Sequence, residues 1–362
     1  MKNSSIALVV PTIREHCMKE FIMRWDALGL FSLVDLIIME DNPEKTFDLG
    51  DECVHLCWTD IERRLKGLQW IIPRRSDTVR SFAYWYAWNE GYQFIMTMDD
   101  DCYPPVKNED NFEYPDAKAF VNLHVTALLN KTKWFNTLNN VKPRGVPFYE
   151  LGRRSDVIVN HGLWTKVLDY DAPTQLVNPV QEQFSFDNKI VPCGSYFPMC
   201  GMNVMWDAKY TPWMYHLLMG RQFVSDRGEM MLDSDKLLQL PFDRFGDIWC
   251  GIFMKRCADL CDKVVSTGMP YIRHERASNP FANLKKEANG LEVNEKLWQH
   301  IDNFKFGGPE MDPSQVYAEL GMHVQKYEEF PQYVEYFKKL GEAMQYWARL
   351  FNGDAGKLPT VG

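Results

Sequence analysis

Short apolar runs and helical patterns alternate along the first hundred residues of the chain. Largely apolar runs occupy residues 6–10, 33–39 and 94–98, and runs of this length are typical of strands buried on both faces of a sheet. Between them, apolar residues recur at helical spacing over residues 15–29 and 78–90. This order of strands and helices predicts an α/β fold with a mainly parallel central sheet.

The remaining pattern is less regular. It predicts helices over residues 59–68, 118–131 and 247–260, and a short strand over residues 70–72. Residues 135–210 are rich in glycine, proline and aromatic residues without a long period, which favours substrate-binding loops.

The pattern changes again after residue 300. Asp312 precedes a predicted helix over residues 313–326, and apolar residues at helical spacing continue over residues 333–351. We therefore expect three units. They are a catalytic domain over residues 1–300, a C-terminal helical extension over residues 301–352, and a disordered tail over residues 353–362.

Composition excludes some classes of protein. The net charge is −9 and the sequence pI is about 5.5, which argues against a general nucleic-acid binder. A nucleic acid as an acceptor substrate stays open, because a local basic groove is compatible with an acidic chain.

Cysteine usage and the N-terminus indicate the compartment. The chain has nine cysteines, and the pairs Cys53/Cys57 and Cys257/Cys261 have the spacing of one helical face rather than of a zinc knuckle. Reduced thiols indicate an intracellular protein. The N-terminal apolar run is too short for a signal sequence or a membrane span, so we expect a cytoplasmic protein without a membrane partner.

Three adjacent carboxyl groups follow the apolar run at residues 94–98. Asp99, Asp100 and Asp101 repel one another, and burying them unpaired is costly. Asp99 and Asp101 point to the same side of an extended chain, where they could share a cation. Oxygen ligands favour Mg²⁺ or Mn²⁺, ions that commonly hold substrate phosphates. The alternative is a solvated acidic turn.

Other candidate residues lie at predicted strand ends or beside arginines. Thr12 and Asp41 end the first two strands, and we expect them to converge with the acidic triplet, because ligands bind at the carboxyl ends of parallel strands. Arg80 lies in an otherwise apolar helix, where its fork suits a diphosphate. For Arg74 and Arg75 a phosphate clamp and surface ion pairs are both open.

The last candidates come from the second half of the chain. His274 ends a strand-like run and is a candidate third metal ligand. Asn279, Lys285 and Lys286 offer polar and cationic groups for phosphate. Asp247 begins a predicted helix, either as an N-cap or as a carboxylate facing a sugar.

Four long strings then resemble the reversibly glycosylated polypeptides, also called UDP-arabinopyranose mutases (glycosyltransferase family 75). The strings are MDDDCYPP at 98–105, HGLWTKVLDYDAPTQL at 161–176, FPMCGMN at 197–203 and YIRHERASNPFANLKKE at 271–287. They are unusual and occur in the same order, and the likeness extends over roughly residues 5–300.

The resemblance implies a GT-A-like nucleotide-sugar fold and a divalent metal, Mn²⁺ or Mg²⁺, at Asp99–Asp101. It also implies interconversion of UDP-arabinopyranose and UDP-arabinofuranose, with self-glycosylation on an arginine. That arginine aligns with Arg153, with Arg154 as the alternative, although adjacent arginines in a loop are usually solvated. The expected partners are a UDP-sugar, UDP-arabinose by the resemblance, and further copies or relatives of the chain.

Two alternatives to a mutase stay open. One is a retaining glycosyltransferase that delivers a sugar such as arabinose from a UDP-sugar to an external acceptor. The other is a UDP-sugar-binding subunit without catalysis.

Overall fold

The computed structural model describes residues 2–50, 53–129, 144, 156–177, 187–223, 237–275, 278–306 and 311–352. Its strands are β1 (Ile6–Thr12), β2 (Asp35–Glu40), β3 (Val54–Leu56), β4 (Phe94–Met98), β5 (Cys102–Tyr103), β6 (Asp156–Lys166), β7 (Lys189–Ile190), β8 (Asn203–Asp207), β9 (Arg221–Phe223), β10 (Leu237–Gln239) and β11 (Lys263–His274). Its helices are α1 (Glu15–Asp26), α2 (Trp58–Leu65), α3 (Val79–Asn89), α4 (Lys107–Asp110), α5 (Ala117–Leu129), α6 (Ala172–Val177), α7 (Gly246–Leu260), α8 (Pro280–Asp302), α9 (Pro313–Val324) and α10 (Val334–Arg349).

One sheet organises the described part of the chain. Its strand order is β3-β2-β1-β4-β8-β6-β11-β5, with β7 paired to β11, and β9 and β10 form a separate two-stranded ribbon. The strands β3, β2, β1 and β4 are parallel neighbours, and the longest pairing, between β6 and β11, is also parallel. Strand β8 runs antiparallel between β4 and β6. The predicted α/β fold with a mainly parallel central sheet is confirmed.

Alternating residues of β1 belong to two different hydrophobic cores. Ala7 and Val9 face the larger core, which contains residues of α2, α3, α7, α9 and α10. Leu8 and Val10 face the smaller core, which contains residues of α1 and α5. Because both faces of the strand are covered, its sequence is a continuous apolar run rather than an alternating one.

The two C-terminal helices belong to the larger core. Helices α9 and α10 cross where a Cβ on Gly341 would overlap the carbonyl oxygen of Gly321, so glycine permits this close approach. Trp347 of α10 is fully buried and its Nε1 donates to the carbonyl of Pro212 at 2.9 Å. Helix α8 continues through residue 300. The division of the chain into a catalytic domain and an extension stays a prediction, and residues 353–362 lie outside the described residues.

Three sequence expectations are wrong. Residues 70–72 do not form a strand, because Gln69–Ile71 is a short 3₁₀ helix. Strand β3 separates Cys53 from Cys57, so these cysteines do not share a helical face. The stretch 135–210 contains the central strands β6 and β8 rather than loops alone. Among the described residues, no helix has both the length and the apolar character that crossing a bilayer requires.

Candidate active site

A cleft of about 660 Å³ opens beside the carboxyl end of β4. Its lining includes the carboxyl groups of Asp77, Asp99, Asp101, Asp169 and Asp247, together with Arg14, Arg75, Arg80, Trp164, His274 and Lys286. The sheet brings these side chains together from distant parts of the sequence, because β4 and β11 both end at this edge and α7 begins there.

The three adjacent carboxyl groups face different surroundings. Asp100 turns into the protein, where it accepts hydrogen bonds from Thr12 Oγ1 at 2.6 Å and from Arg14 Nε at 3.1 Å. Asp99 and Asp101 line the cleft instead. Burial raises the pKa of Asp100, and the bonds from Arg14 and Thr12 oppose that rise. The middle carboxylate therefore anchors the turn, and its two neighbours line the cleft.

Arg14 links two carboxylates of this turn. Besides its bonds to Asp100, its Nη2 donates to Asp101 Oδ2 at 3.0 Å. Burial alone would lower the pKa of Arg14, but hydrogen bonds and charges from Asp100 and Asp101 raise it above its ordinary value. The guanidinium therefore stays charged and balances part of the negative charge of the triplet.

His274 has the geometry of a metal ligand. Its Nδ1 lies 2.8 Å from the carbonyl oxygen of Val167 and must donate to it, which leaves a lone pair on Nε2. Nε2 lies 3.8 Å from Asp101 Oδ1, too far for a hydrogen bond. Two ligands of one divalent ion, each at about 2.1 Å, lie about 3–4 Å apart. The two side chains therefore fit a shared Mn²⁺ or Mg²⁺.

Arg80 fixes the first carboxylate of the triplet. Its Nη2 donates to Asp99 Oδ1 at 2.7 Å and its Nη1 donates to the carbonyl of Gly201 at 2.8 Å. A Cβ on Gly201 would lie 2.9 Å from Nη1, so glycine lets the guanidinium reach the backbone. Arg80 lines the cleft, but both of its terminal nitrogens donate to protein acceptors.

The two arginines before α3 have different environments. Arg74 is buried, with 2% of its surface exposed, and donates to the carbonyl of Ile72, so the surface ion pair considered for it is wrong. Arg75 lines the cleft, and its backbone N–H donates to Asp41 Oδ1 at 3.2 Å. Trp58 Nε1 donates to the same oxygen at 2.7 Å. Burial raises the pKa of Asp41.

Asp247 is not an N-cap. It lies in the first turn of α7, one residue beyond Gly246, and Phe245 holds the cap position. Its Oδ2 accepts a hydrogen bond from the backbone N–H of Gly201 at 2.9 Å. Burial and the charges of Asp77 and Asp169 raise the pKa of Asp247 to about 8.

The predicted phosphate-binding group of Asn279, Lys285 and Lys286 is divided. Asn279 caps α8 by accepting from the backbone N–H groups of Phe281 at 3.0 Å and Ala282 at 3.2 Å. Lys286 lines the cleft and lies 3.3 Å from Asp243. Lys285 lines a neighbouring cleft of about 520 Å³ instead.

Arg153 and Arg154 lie outside the described residues. The strand that follows them, β6, begins at Asp156, which pairs with Lys263 at the start of β11. This is the sheet edge opposite the cleft, because α7 runs from the cleft to that edge over 15 residues, about 22 Å. Asp156 therefore lies far from the cleft and is not a carboxylate that could assist chemistry there.

The family model for reversibly glycosylated polypeptides matches residues 1–355. The chain belongs to the reversibly glycosylated polypeptide family. It is 33% identical over 355 residues to "UDP-arabinopyranose mutase 2" of Arabidopsis thaliana, with 94% of this chain and 89% of that protein covered. It is 32% identical over 357 residues to "Probable UDP-arabinopyranose mutase 1" of Solanum tuberosum, with 94% and 88% covered.

Solved structures show a more distant likeness. "Crystal Structure of a Mycobacterial Protein" has a TM-score of 0.40 and 11% identity, covering 90% of this chain and 76% of that one. Glucosyl-3-phosphoglycerate synthase from Mycobacterium tuberculosis, in complex with Mn²⁺, UDP and phosphoglyceric acid, has a TM-score of 0.36 and 10% identity, covering 88% and 78%.

Sequence reasoning missed several lining residues of this family member, among them Arg14, Asp77, Trp164 and Asp169. Arg14 lies two residues beyond Thr12, Asp77 lies within the arginine-rich stretch before α3, and Trp164 lies within the HGLW string. The available signal was position: each lies next to a residue or string already singled out.

Proposed function

We propose that this member of the reversibly glycosylated polypeptide family is a metal-dependent enzyme that interconverts UDP-arabinopyranose and UDP-arabinofuranose. The names of the curated relatives support the reaction. The observation that carries the proposal here is the meeting of Asp101, His274 and two arginines at one cleft beside the carboxyl end of β4. Ligands of doubly wound sheets bind at such an edge.

Asp101 and His274 would hold the ion, and the substrate's diphosphate would complete its ligand shell. Asp99, the third predicted ligand, is bonded to Arg80 instead, and its carboxylate does not group with these two side chains within 4.8 Å. The hard carboxylate oxygens suit Mn²⁺ or Mg²⁺. A bound divalent ion neutralises the charge that develops on a departing diphosphate.

The surrounding residues have distinct proposed tasks. Thr12 and Arg14 keep Asp100 turned inward, so that Asp99 and Asp101 face the substrate. Arg80 orients Asp99 and adds positive charge near the diphosphate. Lys286 and Arg75 lie where they can bind the nucleotide's phosphates. Asp41 would position the backbone of Arg75, and Asn279 would position the start of α8. Asp247 faces the sugar.

A single incubation tests the reaction. The purified protein is mixed with UDP-arabinopyranose and Mn²⁺ without an acceptor, and the products are separated by chromatography. UDP-arabinofuranose is the expected product. Hydrolysis to free arabinose and UDP would favour a glycosyltransferase that awaits an external acceptor. Binding of UDP without turnover would favour a non-catalytic subunit.

We further propose that self-glycosylation takes place on Arg153 or Arg154 between two copies of the chain. Three residues of extended chain plus one arginine side chain span roughly 17 Å. This span is shorter than the distance of about 22 Å between the sheet edge at Asp156 and the cleft of the same chain. The cleft of a neighbouring copy is not held at this distance from the arginines, so it could accept them.

A mixing experiment tests transfer between copies. Asp101→Asn, expected to be inactive but to keep its arginines, is mixed with Arg153→Lys/Arg154→Lys, which keeps its cleft. Labelled UDP-sugar is added and each chain is weighed by intact mass. Sugar on the Asp101→Asn chain supports transfer between copies. Wild-type protein alone is the positive control. If wild-type chains carry sugar but neither chain of the mixed pair does, transfer between copies is contradicted.

A further inference from the structure

Two carboxyl groups line the cleft near the first turn of α7, those of Asp77 and Asp247. A Cβ on Gly246 would lie 2.8 Å from both carboxylate oxygens of Asp77. Asp77 therefore lies against the backbone of the residue that precedes Asp247. Both side chains line the cleft, and a quarter of the Asp77 side chain is exposed there. A substrate in the cleft can reach both groups.

The two groups have different hydrogen-bond partners. Asp77 Oδ2 lies 2.8 Å from Nδ1 of the fully buried His216. Asp247 Oδ2 accepts from the backbone N–H of Gly201, and Oδ1 accepts from the N–H of Ile248 at 2.9 Å. In the part of the chain that the structure describes, no cationic side chain lies within ion-pair distance of Asp247.

More negative groups crowd Asp247 than Asp77. Ligand atoms of Asp169, Cys200 and Asp247 all lie within 4.8 Å of one another. Such a group could hold a metal, but burial raises the pKa of the Cys200 thiol well above its ordinary value, and a protonated thiol is a poor partner for Mg²⁺ or Mn²⁺. The crowding instead favours a proton on one carboxyl group.

The surroundings of Asp77 and Asp247 shift their pKa values in opposite directions. Burial alone would raise the pKa of Asp77, but the bond from His216 and the charges of Arg80 and Arg244 bring it below its ordinary value. Burial and the neighbouring carboxylates move the pKa of Asp247 in the opposite direction. Two carboxyl groups separated in this way can act as an acid and a base at the same pH.

We infer that Asp247 is the proton donor and Asp77 the proton acceptor for the sugar's ring oxygens, with His216 as the residue that positions Asp77. The inference rests on the proposed mutase reaction. It assigns the proton transfers of that reaction to the part of the cleft lining at the first turn of α7, apart from Asp101 and His274.

The proton balance closes without another reactant. The C1–O bond to UDP breaks first, and its electron pair leaves with UDP. O4 then forms a bond to C1 and gives its hydroxyl proton to Asp77. The C1–O5 bond breaks next, its electron pair stays on O5, which takes the proton of Asp247, and UDP bonds to C1 again to give the furanose. The reverse reaction uses the two groups in exchanged roles. Between forward turnovers the proton returns from Asp77 to Asp247 through water in the open cleft.

The protonation of Asp247 can be tested without any activity. Its folded-state pKa of about 8 exceeds its ordinary value of 3.8, so the folded protein holds this proton more tightly than the unfolded chain. Wild-type stability should therefore fall as the pH rises from about 4 to 8. Asp247→Asn has no such proton to lose. We expect the Tm difference, variant minus wild type, to increase by about 5 °C between pH 5 and pH 8.

Asp302→Asn is the matched control, because Asp302 is more than half exposed, at 56%, and lies outside the cleft lining. The Tm difference of Asp247→Asn should change with pH by more than that of Asp302→Asn. An equal change in the two variants would overturn the assignment of the proton, whether or not the protein proves to be a mutase.

Turnover then tests the roles. Asp247→Asn and Asp77→Asn should each lower kcat by about 10²-fold or more while UDP affinity stays within about twofold of wild type. His216→Phe removes the donor to Asp77, so the acidic limb of the pH–rate profile should move to higher pH. Normal kcat in Asp247→Asn would overturn the proposal. If the wild type makes no furanose, the proposed function fails, and the Tm experiment still decides where the proton lies.

Discussion

The two walls of the cleft carry carboxyl groups in opposite settings. On the wall beside β4, Asp99 is bonded to Arg80, and Asp100 and Asp101 are bonded to Arg14. On the wall at α7, Asp247 is bonded only to backbone N–H groups among the described residues. Burying a carboxyl group requires either a partner charge or a proton. Arginine side chains bond directly to the carboxylates of the first wall, which include the predicted metal ligands. Among the described residues no cationic side chain bonds to Asp247, and the second wall suits proton transfer.

The largest expected effect comes from removing one charge on the first wall. Asp101→Asn should lower turnover by about 10³-fold or more, because a ligand of the ion and its negative charge are lost together. The thermal unfolding curve should stay near that of wild type. Adding EDTA to wild type should have the same effect on turnover. Full activity in the variant, or in wild type with EDTA, would show that the wall beside β4 does not act through a metal ion.

His274→Gln should weaken Mn²⁺ binding by about 100-fold, since the imidazole nitrogen that faces Asp101 is lost. Titration calorimetry with Mn²⁺ alone measures this without substrate. Asp247→Asn, on the other wall, is the comparison and should bind Mn²⁺ as wild type does. Equal losses of Mn²⁺ affinity in the two variants would mean that both walls contribute ligands to the ion. Unchanged Mn²⁺ affinity in His274→Gln would mean that this histidine has a structural role.

Arg14→Met should lower the free energy of unfolding by about 2–3 kcal/mol, because it leaves Asp100 buried without its cation. Urea denaturation measures the change. Adding Asp100→Asn to Arg14→Met should recover part of the loss, since the unpaired charge is then removed. A double variant as unstable as the sum of the single ones would show that the two side chains do not depend on each other.

The smallest expected effect is a difference in KM between variants of two neighbouring lysines. Lys286→Ala should raise KM for the UDP-sugar by up to about fivefold, because Lys286 lines the cleft but is partly exposed. Lys285→Ala should leave KM unchanged, since Lys285 lines the neighbouring cleft. The reverse order of effects would mean that the substrate extends across both clefts.

Most of the sheet and the acidic edge could be predicted because their sequences are unambiguous. The runs that form β1, β2 and β4 are apolar on both faces, and the triplet follows β4 directly. Strand β6 was missed because Asn160 and His161 interrupt its apolar run. These side chains are buried and bonded within the fold, Asn160 to His124 at 2.9 Å and His161 to Thr267 at 2.9 Å.

Asp247 of the second wall was among the predicted residues, but its neighbour Asp77 could not be predicted, for a similar reason. Asp77 reads as part of an arginine-rich stretch, and its partner His216 lies 139 positions further along the chain. Helix α8 was also missed, because its charged residues outnumber the apolar ones that it buries. Contacts between distant residues, rather than local patterns, decide both features.

The C-terminal helices have a consequence for how the protein is made. Trp347 and Tyr336 of α10 donate to the carbonyls of Pro212 and Leu218, the segment that contains His216. A ribosome adds about 5–20 residues per second, so this segment waits on the order of ten seconds for the helix that covers it. Until then its apolar side chains are available to chaperones or to other nascent chains. A transcript that stops before α10 should therefore yield aggregated polypeptide rather than a shortened enzyme with reduced activity.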